Sequence, residues 1–246
     1  MALRSYAEGV LFAEVFGEGP PRVLALHGWG RRGQDFAISL DGIPAIAPDL
    51  PGFGATPPPS EAIGAHGYAE IVARLLPEFE RPPVVAAHSF GGRVAVCLAA
   101  EWPDRVGPLV LTGVPLVRRA PPVKPALVYR LARALNRWGI VSDERLEAEK
   151  RRRGSADYRA ASGVMREILV RVVNEGYSAE LTGIRSEVTL LWGEKDREVP
   201  ITIAREAYRI LEEAGVAVRL DVVEGVGHHL PVERPERLRS VVEEML

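Results

Sequence analysis

Cysteine is almost absent. The 246 residues hold one, Cys97, so no disulfide can close within the chain and a disulfide-built scaffold is excluded. That usage fits a reducing compartment, and a cytoplasmic location is expected. Long apolar runs are missing too. None approaches the about 18 residues that span a bilayer, so an integral membrane protein is not expected. Residues 1–8 carry one positive charge and no apolar core, unlike a secretory signal. Excess charge of either sign is also lacking. The 31 Lys and Arg nearly balance the 33 Asp and Glu, for a net charge of −2. Such a chain has no overall pull on phosphate, and no nucleic-acid partner is expected. Lys, Asn and Gln are scarce, at 3, 2 and 1, whereas Arg numbers 28; this skew suits a GC-rich coding sequence.

What remains is an ordinary globular composition, with 47% hydrophobic and 26% charged residues. A chain this long buries roughly 70–75% of its unfolded surface and needs no metal or disulfide to fold. The charge is spread unevenly, however. Residues 115–186 carry 15 basic and 8 acidic side chains, net +7, and the remainder is net −9. So abrupt a shift marks a boundary in composition.

Continuous apolar runs at 23–26, 43–47, 84–87, 109–111 and 188–192 predict strands covered on both faces, after an earlier strand at 11–15 and before a last one at 216–223. Helical patterns fall between them, at 68–79, 91–101, 201–214 and 236–246. Pro235 is a start signal for the last. Alternation of this kind predicts an α/β fold with a mostly parallel sheet flanked by helices. Residues 115–183 break the rhythm. They hold no convincing strand, and Leu127, Leu131, Ala134, Leu135 and Trp138 recur at helical spacing. We therefore expect a helical insertion at 115–183 between two parts of one core, 1–114 and 184–246.

The sharpest local signal is Ala87-His88-Ser89-Phe90-Gly91-Gly92, where an apolar strand meets a helix of small residues. A tight strand-to-helix turn needs small residues two before and two after its apex, and it exposes the apical hydroxyl at a helix N-terminus. Alone, the pattern also fits a helix simply capped by Ser89. Two further loops follow at strand ends: Trp192-Gly193-Glu194-Lys195-Asp196, and Gly225-Val226-Gly227-His228-His229. A serine nucleophile, then an acid, then a histidine is the chain order of the elbow architecture. Glu194 competes with Asp196 as the acid, and His229 competes with His228 as the base.

These motifs together resemble the α/β-hydrolase family over most of the chain. His27-Gly28-Trp29-Gly30 is similar to its oxyanion loop, and Asp49-Leu50-Pro51-Gly52-Phe53-Gly54 to the loop that follows a core strand. The resemblance implies Ser89 as nucleophile, Asp196 as orienting acid and His228 as base. It also implies the backbone N–H groups of Trp29 and Phe90 as the oxyanion hole, and the insertion as a cap over the site. His88, His229, Leu131, Leu135 and Trp138 would line the pocket. His27 and Asp49 are expected to brace loops, and Cys97 to be inert core. The implied activity is cofactor-free hydrolysis of a small-molecule ester through an acyl-enzyme. Thioesterase, lactonase, perhydrolase and carbon–carbon hydrolase chemistry stay open, as does a ligand-binding receptor on the same scaffold. Ser89 disfavours dehalogenase and epoxide hydrolase chemistry, for which this family looks to Asp. The same loops resemble those of the esterase of biotin synthesis, whose substrate rides on an acyl carrier protein. A basic cap would suit such a partner. No ligand set has metal spacing, and Gly28-Trp29-Gly30 lacks the third glycine and acid of a dinucleotide site.

Overall fold

The computed structural model describes residues 2–118 and 156–246. Among these residues eight strands form one sheet: β1 (Ala2–Tyr6), β2 (Leu11–Phe16), β3 (Val23–Leu26), β4 (Ala45–Asp49), β5 (Val84–His88), β6 (Leu109–Thr112), β7 (Val188–Gly193) and β8 (Val218–Val223). Their order is β1-β2-β4-β3-β5-β6-β7-β8. The first two strands run antiparallel, and β4, β3, β5, β6, β7 and β8 are mutually parallel. β3 to β7 are buried at every position, which is why their sequences read as unbroken apolar runs rather than alternation. β1 lacks that pattern. Four of its five residues are exposed at the sheet edge, so nothing in its hydropathy marks it as a strand.

The helices are α1 (Ala65–Ala73), α2 (Phe90–Glu101), α3 (Ala156–Ala160), α4 (Gly163–Val172), α5 (Ser178–Gly183), α6 (Ile201–Glu213), α7 (Leu230–Glu233) and α8 (Pro235–Glu244). α1 is shorter than its apolar spacing suggests. Pro77 has no N–H to continue the ladder, and the chain makes a separate 3-10 turn at Leu76–Glu78. α2 is buried from Phe90 through Ala99. With α1, α5 and α6 it covers one face of the sheet; the other face is covered by α8 and the turn at Gly33–Phe36. α3, α4 and α5 all lie between β6 and β7, and Leu116, Ile168, Val172, Tyr177 and Leu181 join the core cluster of the first face. The expected helix around Leu127, Leu131, Leu135 and Trp138 falls outside the described residues.

Candidate active site

Ser89 occupies the turn from β5 into α2 with φ 49° and ψ −110°. This conformation is costly for a residue with a Cβ and persists only where the surroundings enforce it. Two bonds hold it: the Ser89 N–H donates to the Thr112 carbonyl (2.9 Å), and the Gly92 N–H donates to the Ser89 carbonyl (3.1 Å). Gly91 makes the turn possible, since a Cβ there would lie 2.3 Å from the Leu26 carbonyl oxygen. The Ser89 side chain does not cap its own helix. Its Oγ instead lies 3.2 Å from Nε2 of His228.

His228 follows β8 and is 9% exposed. Its Nδ1 stands 2.8 Å from Oδ2 of Asp196, which is 5% exposed. The other Asp196 oxygen accepts the backbone N–H groups of Glu198 (3.0 Å) and Val199 (2.8 Å). A carboxylate fixed from three sides holds the imidazole in the tautomer with hydrogen on Nδ1. That leaves the Nε2 lone pair to accept from the Ser89 hydroxyl. Gly113 completes the seat. It has φ 57°, and a Cβ there would come within 2.9 Å of the His228 ring.

The rival residues are placed elsewhere. Glu194 accepts the Gly225 N–H at 3.0 Å. His229 is exposed at the start of α7, with its ring centroid 5.3 Å from that of His228. His88 is buried beside the pair, its ring 4.9 Å from His228, and its Nδ1 is 3.0 Å from the Thr112 carbonyl and 2.9 Å from the Thr112 hydroxyl. Burial, reinforced by His228 and His229, holds its pKa well below the usual histidine value.

The loop after β3 is braced from below. The His27 Nδ1–H donates to the Gly28 carbonyl (2.8 Å), and its Nε2 accepts the Leu50 N–H (2.9 Å). Burial pushes its pKa down to about 4, so it bridges the two loops as a neutral ring. Asp49 ties the same loops through the N–H groups of Gly33 and Ala55, both at 2.8 Å. Above them Trp29, Phe53, Phe90 and Tyr68 pack edge to face, with centroids 4.9–5.3 Å apart for the closest pairs. Among the described residues, the backbone N–H groups of Trp29 and Phe90 have no hydrogen-bond acceptor. Cys97 is buried, and burial raises its thiol pKa, as suits an unreactive core side chain.

A family model described as the alpha/beta hydrolase family matches residues 23–241. The chain belongs to that family. Among curated hydrolases, lipase LipV of Mycobacterium tuberculosis is 43% identical over 38% of this chain and 37% of its own length. Pimeloyl-[acyl-carrier protein] methyl ester esterase of Aromatoleum aromaticum is 28% identical over 92% of this chain and 98% of its own. A solved thermophilic esterase from Thermogutta terrifontis superposes with a TM-score of 0.69 at 20% identity, covering 99% of this chain and 97% of that one.

Three features of this hydrolase site escape the sequence. Gly113 and Thr112 close a short strand with no distinguishing pattern. Glu198 brings Oε2 to 3.7 Å from His228 Nε2, but it reads as one more loop acid. Glu233 grips the His228 loop from four residues after the cap residue His229, one beyond the capping-box spacing, so no motif announces it. Leu131, Leu135 and Trp138, expected as pocket lining, lie outside the described residues. Among those residues no group of His, Cys, Asp and Glu is arranged to hold a metal, and no helix is long and apolar enough to cross a membrane.

Proposed function

We propose that the chain is a serine esterase using Ser89, His228 and Asp196 as a catalytic triad. The hydrogen-bonded series Ser89 Oγ, His228 Nε2, His228 Nδ1, Asp196 Oδ2, starting at a strained elbow, carries this reading. His228 takes the Ser89 proton as the hydroxyl oxygen attacks the ester carbonyl. Asp196 stabilises the imidazolium without itself being protonated. The Trp29 and Phe90 N–H groups, free of other acceptors among the described residues and beside the elbow, receive the oxyanion. His228 then protonates the leaving alkoxide, and water activated by the same ring releases the acid from Ser89. Residues 115–183 act as a cap over the site.

The near end-to-end alignment with a methyl ester esterase named for an acyl-carrier substrate favours a more specific reading, in which the acyl group arrives on a carrier protein. The net +7 of residues 115–186 suits an acidic partner of that kind. The test of the triad is labelling by a fluorophosphonate together with turnover of p-nitrophenyl esters. Ser89→Ala should abolish both with the fold intact, since losing a triad nucleophile costs on the order of 10⁶ in kcat. Full turnover by that variant would place the chemistry elsewhere, and binding without turnover by the wild type would indicate a receptor.

A further inference from the structure

A cavity of about 300 Å³ opens between the segment after β6, the carboxyl end of α4 and the start of α6. Its wall is apolar at Val199 and Ile203, but two guanidinium groups, Arg93 and Arg118, border it. Arg93 lies on α2 one turn beyond Ser89 and is only 8% exposed. One of its nitrogens donates to the Val172 carbonyl at the end of α4, and the group lies over the Tyr177 ring, 5.8 Å from the centroid. Among the described residues, neither Arg93 nor Arg118 has an ion-pair partner.

A buried charge without a counter-ion is expensive. One carbonyl, the Tyr177 hydroxyl and one aromatic face answer only part of what a guanidinium can donate. Arg93 nonetheless lines the cavity, and its nitrogens are not among the buried side-chain atoms left without a partner. Two carboxylates also border it, and neither forms a direct ion pair with Arg93 or Arg118. Glu175 is already engaged: it accepts the Ala65 N–H (3.1 Å) and the Tyr177 hydroxyl (2.9 Å), and it pairs with Arg171 (3.6 Å). Glu198 is 65% exposed and turns toward His228, 3.7 Å from Nε2. Glu198 is thus the lining residue that reaches the His228 ring.

We propose that this cavity is a subsite for an anionic group on the substrate, a carboxylate or phosphate distant from the scissile ester, held between Arg93 and Arg118. The planar fork of Arg93 matches either oxyanion in a two-point contact, and the apolar wall accommodates the intervening chain. The proposal rests on the esterase reading and narrows its substrates to anionic esters.

The experiment compares p-nitrophenyl butyrate with the mono-p-nitrophenyl ester of glutaric acid and with a phosphonate-ended ester of equal length. The wild type should favour at least one anionic ester by about tenfold or more in kcat/KM, the scale of one charge-assisted contact. Whichever anionic arm is preferred names the group. Arg118→Gln, on an exposed side chain, should bring the ratio toward one; Arg93→Lys, which keeps charge but loses the fork, should reduce it. Calorimetry with free glutarate and with propylphosphonate tests the subsite without turnover: heat from wild type that is lost in Arg118→Gln supports it. Equal kcat/KM for neutral and anionic esters, or no heat from either anion, overturns it. If no ester is turned over and Ser89 is not labelled, the esterase reading fails instead, and the calorimetry still decides the subsite.

Discussion

Glu233 grips the chain on both sides of His228. Its carboxylate accepts the Gly227 N–H at 2.8 Å and the His229 N–H at 3.0 Å, one oxygen to each. The backbone carrying the imidazole is thus fixed at the residue before and the residue after it. Glu233 does not touch the reacting atoms, so its effect passes through the ring's position. Even small misplacements of a catalytic group cost rate steeply.

Glu233→Ala should therefore lower kcat by about tenfold or more while leaving KM nearly unchanged, and fluorophosphonate labelling should slow in step. Glu233→Gln keeps one acceptor oxygen and should fall between the two. A variant that melts earlier yet labels Ser89 at the wild-type rate would reduce Glu233 to a structural tie.

The two adjacent histidines give a second prediction. Only His228 reaches Ser89 and Asp196, whereas the His229 ring is exposed at the start of α7. His228→Ala should lose nearly as much kcat/KM on one good ester as Ser89→Ala does, and His229→Ala far less. The reverse ranking would make His229 the base.

Much of this arrangement is legible in sequence because loops at the carboxyl ends of buried parallel strands carry it. Val84 to Ala87 and Val188 to Trp192 announce themselves as unbroken apolar runs. The residues just past them, Ser89 and Asp196, are then candidates by position. In the sequence, the choice of His228 over His229 and of Asp196 over Glu194 rests on the family resemblance alone. Features set by exposed or local geometry stay hidden. β1 has no apolar face to give it away. Helix α7 is four residues long, and its hold on the His228 loop comes from one side chain folding back on itself. Gly113 matters because its φ is positive and because an imidazole from another strand end packs where its Cβ would be. Arg93 reads as an ordinary helical arginine, and its burial becomes visible only once Val172 and Tyr177 are folded over it.

A third prediction concerns pH. His66 on α1 links Glu101 of α2 to Glu180 of α5, through Nδ1 to Glu101 and through Nε2 to Glu180 at 2.9 Å. The Glu101 bond, aided by Glu180, raises its pKa above the unperturbed 6.5. A group whose pKa is raised on folding contributes stability fully below its unfolded pKa and loses it as pH climbs through the folded value. The wild type should thus lose melting temperature as pH rises from near 6 through that value. His66→Gln should show a flatter profile over the same range. The side chain is about half exposed, so solvent screening keeps the effect modest. Parallel profiles for the two proteins would show that the bridge adds nothing to stability.

The last prediction separates a carrier-borne substrate from a free one. The net +7 of residues 115–186 steers association only where a negatively charged partner or substrate approaches there. Steering by such a charge weakens with salt, because the Debye length falls from roughly 10 Å at 0.1 M to about 3 Å at 1 M. For an ester carried on acyl carrier protein, kcat/KM should drop steeply across that range. A neutral short-chain ester should barely respond, since it carries no charge to steer. Reversing Arg151, Arg152 and Arg153 to Glu should reproduce the drop at low salt for the carrier-borne ester, acting through association rather than through kcat. Measured side by side, two equally flat salt profiles would leave these arginines as ordinary solvated charge and remove the carrier protein from the substrate's description.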